Sequence, residues 1–316
     1  MTGLLCVTGA TGYVGAHVVK EALARGYRVR ATVRDPGDER RTRHVRELGR
    51  GYEGALELVR GDLEDPRSFE AALEGATAVI HTASAVALTA RDPQREIVDV
   101  AVEGARNVVR AARASRTVQR VVLTSSVAAV TGEDKPSGYV FRESDWNDTA
   151  TVKSDAYAAS KVQAERAARA LATEPGARAI ELVAILPSLV LGPVLSEQHL
   201  RTSPAILLEI MRGKWPGVPD LVFSVVDVRD LARAHLLALE KDSPAPRYLA
   251  TSGSMGLRAM AAALRTELAG TKVPRLPLPD LLMYATALFE PRLTFSFLRQ
   301  NLGAAPILDG ALIRRD

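Results

Sequence analysis

Short, continuous apolar runs recur along the first 250 residues, and most are followed by a longer segment with helical spacing of its apolar positions. Strands covered on both faces read this way, because neither face needs polar residues. The runs predict strands at 4–8, 28–33, 56–60, 78–81, 121–124, 180–186 and 247–250, with helices at 13–25, 94–114, 155–172 and 229–241. Such alternation implies an α/β fold with a parallel sheet of about seven strands and crossover helices. The rhythm breaks at Pro187, where prolines at 193, 204, 216 and 219 punctuate a helix at 205–212 and precede a strand at 221–225. From Gly256 onward helices dominate, separated by a proline-rich stretch from Pro274 to Pro279. The expected division is a nucleotide-binding domain over 1–186, with 223–250 returning to it. A smaller, mostly helical substrate lobe then comes from 187–222 and 251–316.

Composition narrows the class. An apolar content of 47% over 316 residues can fill a sizeable core. The single Cys6 excludes an internal disulfide framework and fits a reducing cytoplasm; its place in the first strand makes it a structural thiol. Of 41 basic residues 34 are arginine, scattered among 37 acidic ones. The resulting net charge of +4 is no nucleic-acid stripe. The first strand is too short for a signal-peptide core, and the apolar run 281–289 falls far below a membrane span. That run is expected to face a core or a pocket.

The candidate chemistry sits at strand ends. Gly9, Gly12 and Gly15 follow a strand and open a helix, the setting in which glycines permit a turn, close backbone approach to a pyrophosphate and helix–strand packing. Thr11, Tyr13 and Val14 lie within this loop, whose helix N-terminus offers free N–H groups to phosphates. A Rossmann-type, doubly wound sheet follows. Where an NAD site usually places an acid, the second strand ends in Arg34, which suits a 2′-phosphate and hence NADP(H); Arg40 or Arg41 can add a contact. Asp62 and Leu63 follow the third strand on the adenine side, and Thr82, Ala83 and Ser84 follow the fourth on the nicotinamide ribose side. His81 beside them reads as structural rather than as a base. Thr124, Ser125 and Ser126 close the fifth strand, where a hydroxyl can bond a substrate oxygen; no nucleophile elbow surrounds them. Tyr157 and Lys161 are one helical turn apart, so an ammonium lies beside a phenol and favours proton release from it.

As a set these motifs resemble the extended short-chain dehydrogenase/reductase family. They are Thr8-Gly9-Ala10-Thr11-Gly12-Tyr13-Val14-Gly15, Gly61-Asp62-Leu63, Thr124-Ser125-Ser126, Tyr157-Ala158-Ala159-Ser160-Lys161 and Pro187-Ser188-Leu189-Val190-Leu191-Gly192-Pro193. Together with Thr32-Val33-Arg34-Asp35-Pro36, they are most similar to the dihydroflavonol-4-reductase-like carbonyl reductases, up to about residue 255. The resemblance implies Tyr157 as general acid, Lys161 as its modulator and ribose ligand, and Ser126, or less favourably Ser125, as the carbonyl-polarising hydroxyl. It further implies Arg34 and Arg41 at the 2′-phosphate, Asp62 and Leu63 at the adenine, and Thr124 among the cofactor-binding residues. Pro187, Leu189 and Val190 would meet the nicotinamide amide, with Ser203 helping from the lobe.

Two departures bear on the substrate. Thr131 stands where plant flavonoid reductases carry a substrate-binding asparagine, and Ser154-Asp155-Ala156 replaces the cinnamoyl-CoA reductase signature before the tyrosine. The activity implied is NADPH-dependent reduction of an aldehyde or ketone in the cytoplasm, by a monomer or by a homodimer built on helices 94–114 and 155–172. Rival readings are an NAD-dependent nucleotide-sugar epimerase or dehydratase, a hydroxysteroid dehydrogenase, and a catalytically silent NADP sensor. The retained Tyr157 and Lys161 speak against the last.

Overall fold

The computed structural model describes residues 3–84, 90–268, 270–289 and 293–316. Strands β1 (Leu4–Thr8), β2 (Arg28–Val33), β3 (Leu56–Arg60), β4 (Ala78–His81), β5 (Arg120–Thr124), β6 (Glu181–Pro187), β7 (Leu189–Leu191), β8 (Val222–Asp227), β9 (Arg247–Ala250) and β10 (Gly253–Gly256) carry the architecture. Seven of them form one sheet in the order β9-β6-β5-β4-β1-β2-β3, with every neighbouring pair parallel. The order reverses beside β1, so β1 and β4 diverge there and leave a crevice above their carboxyl ends.

Helices cover both faces. On one face α1 (Tyr13–Ala24) packs beside α7 (Val228–Glu240) over a core containing Val7, Val29, Ile80, Val122, Leu231 and Leu236. On the other, α4 (Val100–Ala114), continuous with a wider turn at Gln94–Asp99, packs along α5 (Val152–Ala172) over Cys6, Val79, Val121 and Ala168. Burial pushes the Cys6 thiol up to about 12, in keeping with a structural role. Two helices escape the apolar pattern, α2 (Glu39–Leu48) and α3 (Pro66–Ala72). Each begins at an aspartate, Asp38 or Asp65, whose carboxylate accepts from the first-turn backbone. The basic run of α2 masks an apolar face of only Val45 and its neighbours.

The expected return of the chain to the main body at 223 happens later. β8 pairs with β7 and antiparallel with β10 in a separate three-stranded sheet, and only α7 and β9 rejoin the main sheet. Alternation in β8 is partly exposed, which suits a sheet with one open face rather than a strand covered twice. The lobe has its own core, including Ile210 of α6 (Ala205–Met211), Leu221, Phe223, Leu257, Met260 and Leu298. Within the run 281–289 Met283 is buried in that core and Tyr284 and Ala287 pack against it, whereas Leu281 and Phe289 are 80% and 87% exposed, so the apolar run faces inward on one side only. No helix among the described residues is long and apolar enough to cross a membrane. The outward positions of α4 and α5 carry Glu103, Arg110 and Arg166, which are charged rather than apolar.

Candidate active site

The glycine loop crosses from β1 to α1 at the crevice. Gly9 adopts φ +71°, and a Cβ there would lie 2.7 Å from the Ala83 backbone. A Cβ on Gly15 would lie 2.3 Å from the Gly9 carbonyl and 2.7 Å from Thr82 Oγ1, so α1 can approach only without one. Gly12 caps α1 with no side-chain bond, leaving the first N–H groups of the helix to an incoming acceptor. These features fit a dinucleotide pyrophosphate. Tyr13 turns its ring inward between His17 and His199, at centroid distances of 5.7 and 5.5 Å, so only backbone from this residue faces the loop. Burial raises its phenol pKa. His199 Nε2 lies 3.2 Å from the Thr11 carbonyl, which ties the lobe to the glycine loop; burial and the nearby His44 push His199 down to about 4.

At the end of β2 the guanidinium of Arg34 is exposed and has no acidic partner among the described residues. Asp35 instead accepts the Gly37 N–H at 2.8 Å, holding the turn. Arg41 leans on Asp38 at 3.4 Å, while Arg40 pairs with no acid among the described residues. Asp62 accepts from the Glu64 N–H at 3.2 Å, and the Leu63 carbonyl accepts from Asn107 at 2.9 Å, fixing this corner. Leu63 packs beneath Gly104 of α4.

The fourth and fifth strand ends meet the tyrosine helix. His81 is 3% exposed, shares a 2.6 Å hydrogen bond with Thr8 and is pushed down to about 3 by burial and then by Lys161. A neutral, internally bonded ring is no proton carrier at neutral pH. Thr82 donates to the Thr8 carbonyl at 2.6 Å. Ser84 accepts from Lys161 Nζ at 3.0 Å, and the same ammonium stands 5.6 Å from the Tyr157 ring centroid. Lys161 is 7% exposed and Tyr157 40%, so the cation lies beneath a phenol that faces outward.

Three consecutive hydroxyls end β5, and two are occupied. Thr124 donates to His235 Nε2 at 2.8 Å, since His235 Nδ1 binds the Leu231 carbonyl and must carry the proton. Ser125 donates to Glu165 at 2.7 Å. Ser126 accepts the Ala128 N–H at 3.2 Å, and its own proton has no acceptor among the described residues. Of the three, Ser126 alone keeps its hydroxyl proton uncommitted among the described residues. It opens a short turn, Val127–Ala129, that packs on α5. Thr131 is buried, and its hydroxyl proton is committed to the Val127 carbonyl at 3.2 Å.

Pro187 ends β6 opposite Ala250, and Leu189 and Val190 pair with Val225 and Val226 in the small sheet. Ser203 follows the turn at Glu197–Arg201 and makes no hydrogen bond among the described residues, so nothing in the chain ties it to the site. Glu165, Arg247, His199 and His235 belong to none of the sequence motifs. For Glu165 one signal existed: it continues the spacing of four from Tyr157 and Lys161 along one helix face.

A model of the NAD dependent epimerase/dehydratase family matches residues 5–249. The chain belongs to that family. It is 41% identical over 249 residues to cinnamoyl-CoA reductase 1 of Oryza sativa subsp. japonica, covering 78% of this chain and 70% of that protein. It is 34% identical over 284 residues to an anthocyanidin reductase of Vitis vinifera, covering 85% and 82%. The structure of Gre2 from Candida albicans in complex with NADPH superposes with a TM-score of 0.78 at 27% identity, covering 99% of this chain and 92% of that one.

Proposed function

We propose that this protein reduces an aldehyde or a ketone to an alcohol with NADPH. It is an oxidoreductase of its family, and its cofactor is NADPH. The observation that carries the reading is the pairing of an outward Tyr157 with a buried Lys161, on a helix packed against the turn opened by Ser126, whose hydroxyl proton is uncommitted. Supporting the cofactor are the open N-terminus of α1, an unpaired Arg34 at the end of β2, and a similar solved structure in complex with NADPH. Reductases among its relatives support the direction.

When bound, the dihydronicotinamide supplies hydride to the carbonyl carbon. Ser126 donates a hydrogen bond to the carbonyl oxygen as negative charge gathers there. Tyr157 delivers its proton to that oxygen, and the Lys161 ammonium stabilises the phenolate left behind. Lys161 also stands where a ribose hydroxyl can replace Ser84 as acceptor. The occupied Thr131 and the absence of the cinnamoyl-CoA reductase signature favour small aldehydes, β-ketoesters or aryl ketones over flavonoids and CoA thioesters.

The test is NADPH oxidation with a panel of aldehydes, β-ketoesters, aryl ketones, steroids and cinnamoyl-CoA, repeated with Tyr157→Phe. The substitution should lower turnover by about 10²- to 10⁴-fold and leave NADPH affinity unchanged. Near-normal turnover in Tyr157→Phe, or a panel in which nothing consumes NADPH, defeats the reading. Stoichiometric copurified NAD would point instead to an epimerase or dehydratase.

A further inference from the structure

A buried ionic knot lies one turn beyond Lys161. Tyr157, Lys161, Glu165 and Arg169 follow one another at intervals of four on α5 and so share a face. Glu165 is 1% exposed, a costly place for a carboxylate unless it is fully paired. One oxygen takes Arg169 Nε at 2.9 Å and Arg247 Nε at 2.8 Å. Arg247 reaches it from β9, donates 2.6 Å bonds to the Glu143 and Asp145 carbonyls, and lays its guanidinium 4.0 Å from the Trp146 ring centroid. The carboxylate therefore has little freedom, and its other oxygen accepts the Ser125 hydroxyl at 2.7 Å.

Ser125 is pinned from the other side as well, because its N–H donates to the Ile185 carbonyl at 2.8 Å. Its neighbour Ser126 starts the turn facing α5. Around this point α5 also reaches the end of β4 through the Lys161 ammonium, which donates to Ser84 at 3.0 Å, and Val162 of α5 packs with Ala129 and Val130. Apolar packing is non-directional and does not fix where along its axis a helix sits. A charge-assisted hydrogen bond does, because it is short and angular. A cavity of about 20 Å³, room for one water, separates the two elements, with Ser84, Lys161, Ser125 and Glu165 in its walls.

We propose that Ser125, gripped by Glu165, is a positioning residue that sets the distance between the Tyr157 and Ser126 hydroxyls. It touches neither substrate nor cofactor. The proposal rests on the reductase reading above.

The experiment is a cycle of Ser125→Ala and Tyr157→Phe, singly and together, with the carbonyl compound that the panel shows to be reduced fastest. Ser125→Ala should lower kcat by about 10- to 100-fold, the effect of a misplacement near 1 Å. NADPH affinity, followed by fluorescence, should stay within about twofold, because the cofactor groups do not move. In the Tyr157→Phe background the same change should cost less than about threefold, since the geometry it protects no longer serves a proton donor. Ser125→Thr, which keeps the hydroxyl, should restore most of the rate. Should Ser125→Ala melt below the assay temperature, Ser125→Cys preserves the volume while offering only a weak donor and answers the same question. A kcat for Ser125→Ala near that of the parent overturns the proposal, as does an equal loss in both backgrounds, the mark of a merely structural role. If Tyr157→Phe alone keeps full activity, the reductase reading itself is what fails.

Discussion

Arg34 is the proposed discriminator between two cofactors that differ by one phosphate. Its guanidinium is exposed and lacks an acidic partner among the described residues, while one oxygen of Asp35, the residue that could have served a ribose hydroxyl, accepts the Gly37 N–H. A charge-assisted bond to a phosphate contributes roughly 1.5–3 kcal/mol when sheltered, and less at an exposed site. Arg34→Ala should therefore weaken NADPH binding by about 10-fold and leave NADH almost unaffected. Titrating both cofactors by fluorescence checks this; an unchanged ratio refutes it. The identity of Arg34 could be read from the sequence because the end of β2 follows directly from the apolar run. Its freedom could not, since that depends on where Asp35, Asp38 and Arg41 spend their charges. The same holds at β5: three hydroxyls in a row are visible in sequence and the resemblance favours Ser126, but the physical reason lies in the partners His235 and Glu165, 111 and 40 residues away, which occupy the other two.

At the scale of elements, α5 is less regular than its apolar spacing suggests. Asp155 departs from helical geometry, with φ −159° and ψ 92°, and its carboxylate accepts the Ala158 N–H at 2.9 Å. It acts as an N-cap for the stretch that carries Tyr157, and the preceding turn is closed separately by Thr151 and Ser154. Burial raises the Asp155 pKa, so the cap sits in a sheltered corner. Removing it with Asp155→Ala should cost about 1 kcal/mol of stability and lower kcat as well, because Tyr157 lies in the first turn that the cap organises. Urea unfolding and steady-state kinetics on one preparation test both effects; a loss of stability with kcat intact would show that the kink is irrelevant to the phenol. Strands and long helices were legible because a doubly covered sheet demands unbroken apolar runs. The kink at Asp155, the short capped helices α2 and α3, and the membership of β8 in a second sheet were not, because each is settled by local capping or by tertiary pairing.

Across the whole molecule, acid stability is governed by histidines folded away uncharged. Burial pushes His81 down to about 3, and His199 and His235 down to about 4. They occupy three different junctions: β1 to β4 through Thr8, the glycine loop to the lobe through Thr11, and β5 to α7 through Thr124. In the unfolded chain each takes a proton near pH 6.5. Between that value and the folded-state value, the unfolded state holds protons that the native state refuses, so stability rises with pH across this window and falls on acidification. Above about pH 7 both states are neutral and the dependence vanishes. Moving from pH 7 to pH 5 should then remove on the order of 2 kcal/mol per histidine, seen as a lower urea midpoint. His235→Gln removes one titrating group and should flatten the slope by about one proton's worth, whatever it does to stability at pH 7. A midpoint that does not move between pH 7 and pH 5 would mean that these rings are protonated in the fold, and that the three hydroxyl and carbonyl contacts joining sheet, loop and lobe are not made as described.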